Sequence, residues 1–252
     1  MPDKKDNWFV ETVKTVVYAL VLVVGVHSIF IKPFHIPSPS MIPTLLIGDY
    51  LFVTKFPYGY SKHSFPFSPP LFTGRILAGE PKCGDVAVFR PPHDPGSDWI
   101  KRVIGLPGDE VQMIDGVIHI NGEKAKMEKI GKYNWRSEHG QEYVSMLYRE
   151  TLPNGVQHLI CKSTPFGKGE KDNTPVIKVP EGHYMMMGDN RDHSRDSRWV
   201  LKPGMIPFEN LVGRAELVFF STEIPTIQGA AWWKPWLWPT ATRYTRTFTV
   251  IR

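Results

Sequence analysis

The run "TVVYALVLVVGVHSIFI" at 15–31 contains a single strongly polar side chain, His27, and it divides the chain before any other pattern is considered. Its length is at the short end of what crosses a hydrocarbon core as a helix. Lys14 and Lys32 bound it, with stems long enough to carry their ammonium heads back to an interface. A cleaved leader is the rival reading, but bulky Phe30, Ile31 and Phe34 stand where a small-x-small site is needed. Lys4, Lys5 and Lys14 lie upstream, whereas Lys32 stands alone in the first stretch downstream. The excess of positive charge places 1–14 in the cytoplasm as a tail, 15–31 in the membrane as a single-pass anchor, and 32–252 on the far side, periplasmic or extracellular.

Beyond the anchor the pattern is that of strands. The 23 prolines and 21 glycines fall mostly in short turns between apolar runs. "DYLFVTKF", "GDVAVFRP" and "DWIKRVIGL" read as half-buried strands, the last ending at the turn "LPGD". "VQMIDGVIHINGEKA" carries Asp-Gly and Asn-Gly at hairpin positions, and "YVSMLYRETLPNGVQHLICKS" reads as a further hairpin. Between about 123 and 180 the charge rises and the pattern loosens, as expected of an inserted β subdomain. The predicted fold class is mainly β: one N-terminal transmembrane helix, then an antiparallel-sheet domain over 32–252. Two segments are unusually aromatic, "FPFSPPLF" at 65–72 and "WWKPWLWP" at 232–239, and suit either a membrane interface or caps on the core.

The net charge of +5 suits anionic lipid better than nucleic acid, since no block of Lys/Arg longer than two occurs. Cys83 and Cys161 are too few for a disulfide scaffold and lack zinc spacing; one optional bridge is the most they make. No metal or other cofactor is implied, and nothing in the pattern specifies an oligomer.

A serine can attack an amide once a base removes its proton, yet the sequence has no G-x-S-x-G, S-x-x-K, H-E-x-x-H or GK[ST] motif. A lysine desolvated in an apolar site is another base, because burial disfavours its charged form. In "WIKRVIGLPGD", alternation puts Trp99, Lys101 and Val103 on one strand face and Arg102 on the other. A solvated edge lysine is the commoner meaning of such a pattern.

Taken together and in this order, "PSPSMIPTLLIGDYLFV", "GDVAVF", "DWIKRVIGLPGD" and "MGDNRDHSRDSR" resemble the bacterial type I signal peptidases, membrane-bound Ser/Lys endopeptidases that remove signal peptides from exported preproteins. The resemblance implies Ser40 as nucleophile and Lys101 as general base. It implies an oxyanion hole from the Ser38 hydroxyl and the Ser40 N–H, and Ser194 as the residue orienting the lysine. Arg102, Asp189, Asp196 and Arg198 match charged residues that the family pairs to hold the site. Three arginines interleaved in "NRDHSRDSR" make that loop a poor cation site. Pro37 and Pro39 restrict themselves and the residues before them, which holds Ser38 and Ser40 stiffly.

The same resemblance implies that substrate adds as a strand between Phe34 to Pro37 and Asp98 to Lys101. Phe34, Ile36, Leu45 and Ile100, with Trp99 at the mouth, would then wall pockets for small residues, giving an Ala-x-Ala preference. Three positions depart from the family's commonest pattern: Pro39 for a small residue, Trp99 for Tyr and His193 for Asn. Trp99 still shields Lys101 but narrows the substrate pocket. Two alternatives remain at this point: a self-cleaving Ser/Lys protease, and a catalytically inactive anchored β module that binds exported chains.

Overall fold

The structure, a computed structural model, describes residues 4–65, 68, 73–223, 236 and 238–252, and within the first helix the side chains of 8–20, 22 and 25. Most of the two aromatic segments at 65–72 and 232–239 lies outside the described residues.

Helix α1 covers Lys4–Ile29, and the apolar run ends one step later in a strand rather than continuing the helix. Lys32 and Pro33 fall in that strand, where proline's missing N–H is tolerated at a sheet edge. Among the described residues no helix is long and apolar enough to cross a membrane. The described side chains between Trp8 and Leu20 are all exposed, Trp8 by 72% and Tyr18 by 70%. α1 therefore buries none of them against the rest of the protein.

Fifteen strands are present among the described residues: β1 Ile31–His35, β2 Asp49–Thr54, β3 Val86–Phe89, β4 Trp99–Gly105, β5 Glu110–Ile114, β6 Val117–Ile120, β7 Glu123–Lys124, β8 Lys126–Arg136, β9 Glu142–Thr151, β10 Gln157–Lys162, β11 Ile177–Lys178, β12 His183–Met187, β13 Ile206–Pro207, β14 Leu211–Ser221 and β15 Thr249–Val250. The main sheet runs β1-β2-β14-β3-β4-β12-β13, with β15 added to β14. Its pairings are antiparallel. A second sheet, β10-β9-β8, and a third, β11-β5-β6-β7, account for the remainder.

Burial follows composition. β2 alternates buried and half-buried side chains, whereas β3 is buried at every position because the sheet is covered on both faces there. Val86 and Val88 join a cluster with Leu51, Val53 and Val218; Ala87 and Phe89 join one with Val103 and Met186. The hairpins at Asp115-Gly116 and Asn121-Gly122 carry positive φ at all four residues (47°, 77°, 52° and 79°), which is the turn chemistry those pairs supply best. Both cysteines are free, and burial pushes each thiol up to about 12.

Candidate active site

Ser40 sits in a single 3-10 turn, Pro39–Met41, between β1 and β2, with a proline at its start and Ser40 and Met41 both buried. Proline fixes φ where the turn begins, and Met41, fully buried, pins its far side in the core. The loop after β12 holds the turn from below: Asn190 N donates to the Ser40 carbonyl at 3.1 Å, and Asn190 Nδ2 donates to the Pro39 carbonyl at 3.1 Å. Gly188 makes that approach possible, since a Cβ there would lie 2.5 Å from the Ser40 carbonyl oxygen and 2.2 Å from Ser194 Oγ.

Lys101 enters from β4, where it pairs with Ala87 of β3. β1 and β4 are not neighbours in the sheet, so the sheet must curl to bring them together. Across that curl Lys101 Nζ donates to Ser40 Oγ at 2.7 Å and to the Ile100 carbonyl at 2.9 Å. Lys101 is 4% exposed and its Nζ lies 5.7 Å from the Trp99 ring centre. Burial lowers its pKa to about 8; Asp196 and Asp189 oppose the fall and Arg198 adds to it. Ser38 Oγ stands 3.3 Å from Ser40 Oγ. Ser194 is buried one loop away beside Asp196, and among the described residues its hydroxyl has no hydrogen-bond partner of ordinary geometry.

Two buried ion pairs lie beneath the Lys101–Ser40 contact. Arg102 grips Asp189 with two nitrogens, at 2.9 and 2.7 Å, and also donates to the carbonyls of Gly84 and Arg252. Arg198 grips Asp196 at 2.8 Å on both oxygens, and Asp196 accepts the Gly188 N–H at 3.0 Å. Burial would raise both carboxyls, but each guanidinium outweighs it and holds its partner low. Charged pairs that the sequence analysis passed over extend this layer: Glu150 with Arg191, and Lys162 with Asp172 and Asp192. Local pattern gives no sign of them, because partners such as Glu150 and Arg191 are 41 residues apart. Among the described residues no group of His, Cys, Asp and Glu is arranged to hold a metal ion.

A cleft of about 640 Å³ opens over Ser40 and Lys101, and Phe34, Ile36, Ser38, Trp99, Ile100 and His193 are among its walls. Leu45 does not reach it. That side chain is fully buried in the cluster behind Ile36, where the chain folds back toward β2 and packs it inward. Three cleft residues had no assigned part in the sequence analysis: Val88, Ser97, and Arg195 from the loop that carries Ser194.

The open cleft over a buried serine fits an enzyme of the serine peptidase class, and comparison with known proteins shows that class. The particular family follows from comparison: residues 9–220 match the model described as signal peptidase, peptidase S26, and the chain belongs to that family. "Signal peptidase I" of Rickettsia massiliae is 45% identical over 223 residues, covering 86% of this chain and 79% of that protein. The protein of the same name from Rickettsia akari is 43% identical over 235 residues, covering 91% and 82%. A crystal structure of a signal peptidase I from Enterococcus faecalis shows 24% identity and a TM-score of 0.31, covering 54% of this chain and 96% of that one.

Proposed function

We propose that this chain is a membrane-anchored endopeptidase that cuts signal peptides from exported preproteins, with Ser40 as nucleophile and Lys101 as general base. The observation that carries this reading is the 2.7 Å contact between Lys101 Nζ and Ser40 Oγ, made by an amine that burial brings to a pKa of about 8. At pH 7 about one such amine in ten is neutral, against roughly one in 2,500 for an ordinary lysine. The Ile100 carbonyl holds one amine N–H and so aims the lone pair of the neutral form at the serine proton.

In the reaction, Lys101 takes the Ser40 proton as Oγ attacks the scissile carbonyl carbon. The Ser40 N–H and the Ser38 hydroxyl donate to the resulting oxyanion. As the carbon–nitrogen bond breaks, the Lys101 ammonium passes its proton to the leaving amine, which departs as the new N-terminus. Water, deprotonated by Lys101, then releases the acyl group from Ser40. Ser194 and the pairs Arg102–Asp189 and Asp196–Arg198 serve to position these groups. Substrate lies extended between 34–37 and 98–101, and Phe34, Ile36, Trp99 and Ile100 leave room only for small side chains, hence cleavage after Ala-x-Ala.

The exposed apolar side chains of α1 support a membrane anchor, with the Lys4 and Lys5 end cytoplasmic and the sheets on the other side, in contact with lipid. Ser40→Ala and Lys101→Arg should each lower cleavage of a preprotein by several orders of magnitude, because a guanidinium never becomes a base. No single histidine replacement should match that loss, and the rate should rise with pH through about 8. A folded Lys101→Arg enzyme cutting at near wild-type rate would overturn the assignment.

A further inference from the structure

The turn that carries Ser40 has a depression on each side. Residues before Ser40 wall the cleft, whereas Ile42, Leu46 and Ile47, which follow it, wall a groove of about 550 Å³. The opposite wall is the end of the β8–β9 hairpin, where Trp135 and Tyr143 stack with centres 4.4 Å apart. His193 joins the two depressions. It lines the cleft and meets Trp135 and Tyr143 edge-on, at 5.0 and 4.9 Å. A line of hydrogen bonds fixes this arrangement: Trp135 Nε1 donates to Ser145 Oγ at 2.9 Å, Ser145 meets Ser163 at 2.8 Å, and Ser163 meets His193 Nε2 at 3.1 Å. The groove therefore continues the cleft past the nucleophile.

Its chemistry suits an extended chain. β8 is an edge strand, paired along one side with β9 and with no strand on the other among the described residues, so main-chain groups are available for strand addition. Tyr133, half-buried and on the same strand face as Trp135, adds aromatic surface beside the Trp135–Tyr143 stack. The rim charges are already matched, Arg136 with Glu142 at 2.6 Å and Arg243 with Glu223 at 3.3 Å, so the groove does not select for a charged ligand.

We propose that this groove binds the part of the preprotein that follows the scissile bond, as an extended segment along the β8 edge with an apolar side chain against Tyr133 and Tyr143. The inference rests on the cleavage reading above: if the residues before the cut fill the cleft, the chain must leave on the far side of Ser40. What it adds is recognition of the mature segment.

Two peptides test it in the full-length enzyme. They share all residues up to the cut bond; one ends two residues beyond it and the other continues for eight, with leucines among them. Wild-type enzyme should favour the longer peptide in kcat/KM on the order of tenfold, chiefly through KM, because uniform binding is what the groove supplies. Tyr143→Ala and, separately, Tyr133→Ala should bring that ratio close to one. Each variant's own short-peptide rate is the reference, since Tyr143 touches His193, and both tyrosines are only half-buried, so each can change without unfolding the hairpin. Equal cleavage of both peptides by wild type, or a length advantage that survives both substitutions, would overturn the groove alone. Cleavage of neither would overturn the reading beneath it, and the groove with it.

Discussion

Replacing Lys101 with methionine should destroy activity and make the protein more stable. Burial takes the amine from 10.5 to about 8, so the folded state binds this proton less tightly than the unfolded chain does. At about 1.4 kcal/mol per tenfold change in proton affinity, holding the ammonium costs about 3 kcal/mol at pH 7. Methionine has similar length and no charge, but it forfeits the hydrogen bonds to Ser40 Oγ and the Ile100 carbonyl, together about 1 kcal/mol net. The variant should therefore exceed wild type by about 2 kcal/mol at pH 7. Because the folded pKa lies below the unfolded one, the wild-type penalty is fully present below about 8 and is relieved between about 8 and 10.5. Urea unfolding of both proteins at pH 7 and at pH 10 measures this, and groups common to both cancel in the difference. Equal stability at pH 7, or an advantage undiminished at pH 10, would refute the idea that Lys101 is an ammonium held at a cost.

Two further outcomes follow from the layer beneath the dyad. Gly188→Ala should lower kcat by about a hundredfold or more with the fold retained by circular dichroism, because its Cβ would push on the Ser40 carbonyl at 2.5 Å and displace the nucleophile. Asp189→Asn strands the Arg102 guanidinium, 0% exposed, with no counter-charge and should cost about 3–5 kcal/mol in urea unfolding.

The mainly β architecture was legible because its signals are local. Asp115-Gly116 and Asn121-Gly122 turn as those dipeptides do anywhere, and β2 alternates in the sequence as it does in the core. The strand that carries Lys101 could be read in the same way, but its meeting with Ser40 could not. That contact joins residues 61 apart across a curl in the sheet, and only family resemblance suggested it. Leu45 shows the opposite difficulty: an apolar residue near the nucleophile gives no sign of whether it faces the cleft or the core behind it. The Glu150–Arg191 and Lys162–Asp172 pairs were hidden because a charged residue in a strand reads as solvated until its partner is known.

The order of strands has a consequence in time. β14 lies between β2 and β3, so the half of the site built on β1 and β2 is joined to the half on β4 through a strand that begins at Leu211. β2 and β3 follow each other in the chain but do not pair; each waits for β14. Loops of this length must close before the sheet gains any stability from them, which makes assembly slow and late. A nascent chain that has already emerged past Lys101 therefore holds both Ser40 and Lys101 without being a protease. It becomes one only when β14 arrives, and until then neither its own segments nor those of neighbouring chains can be cut by it.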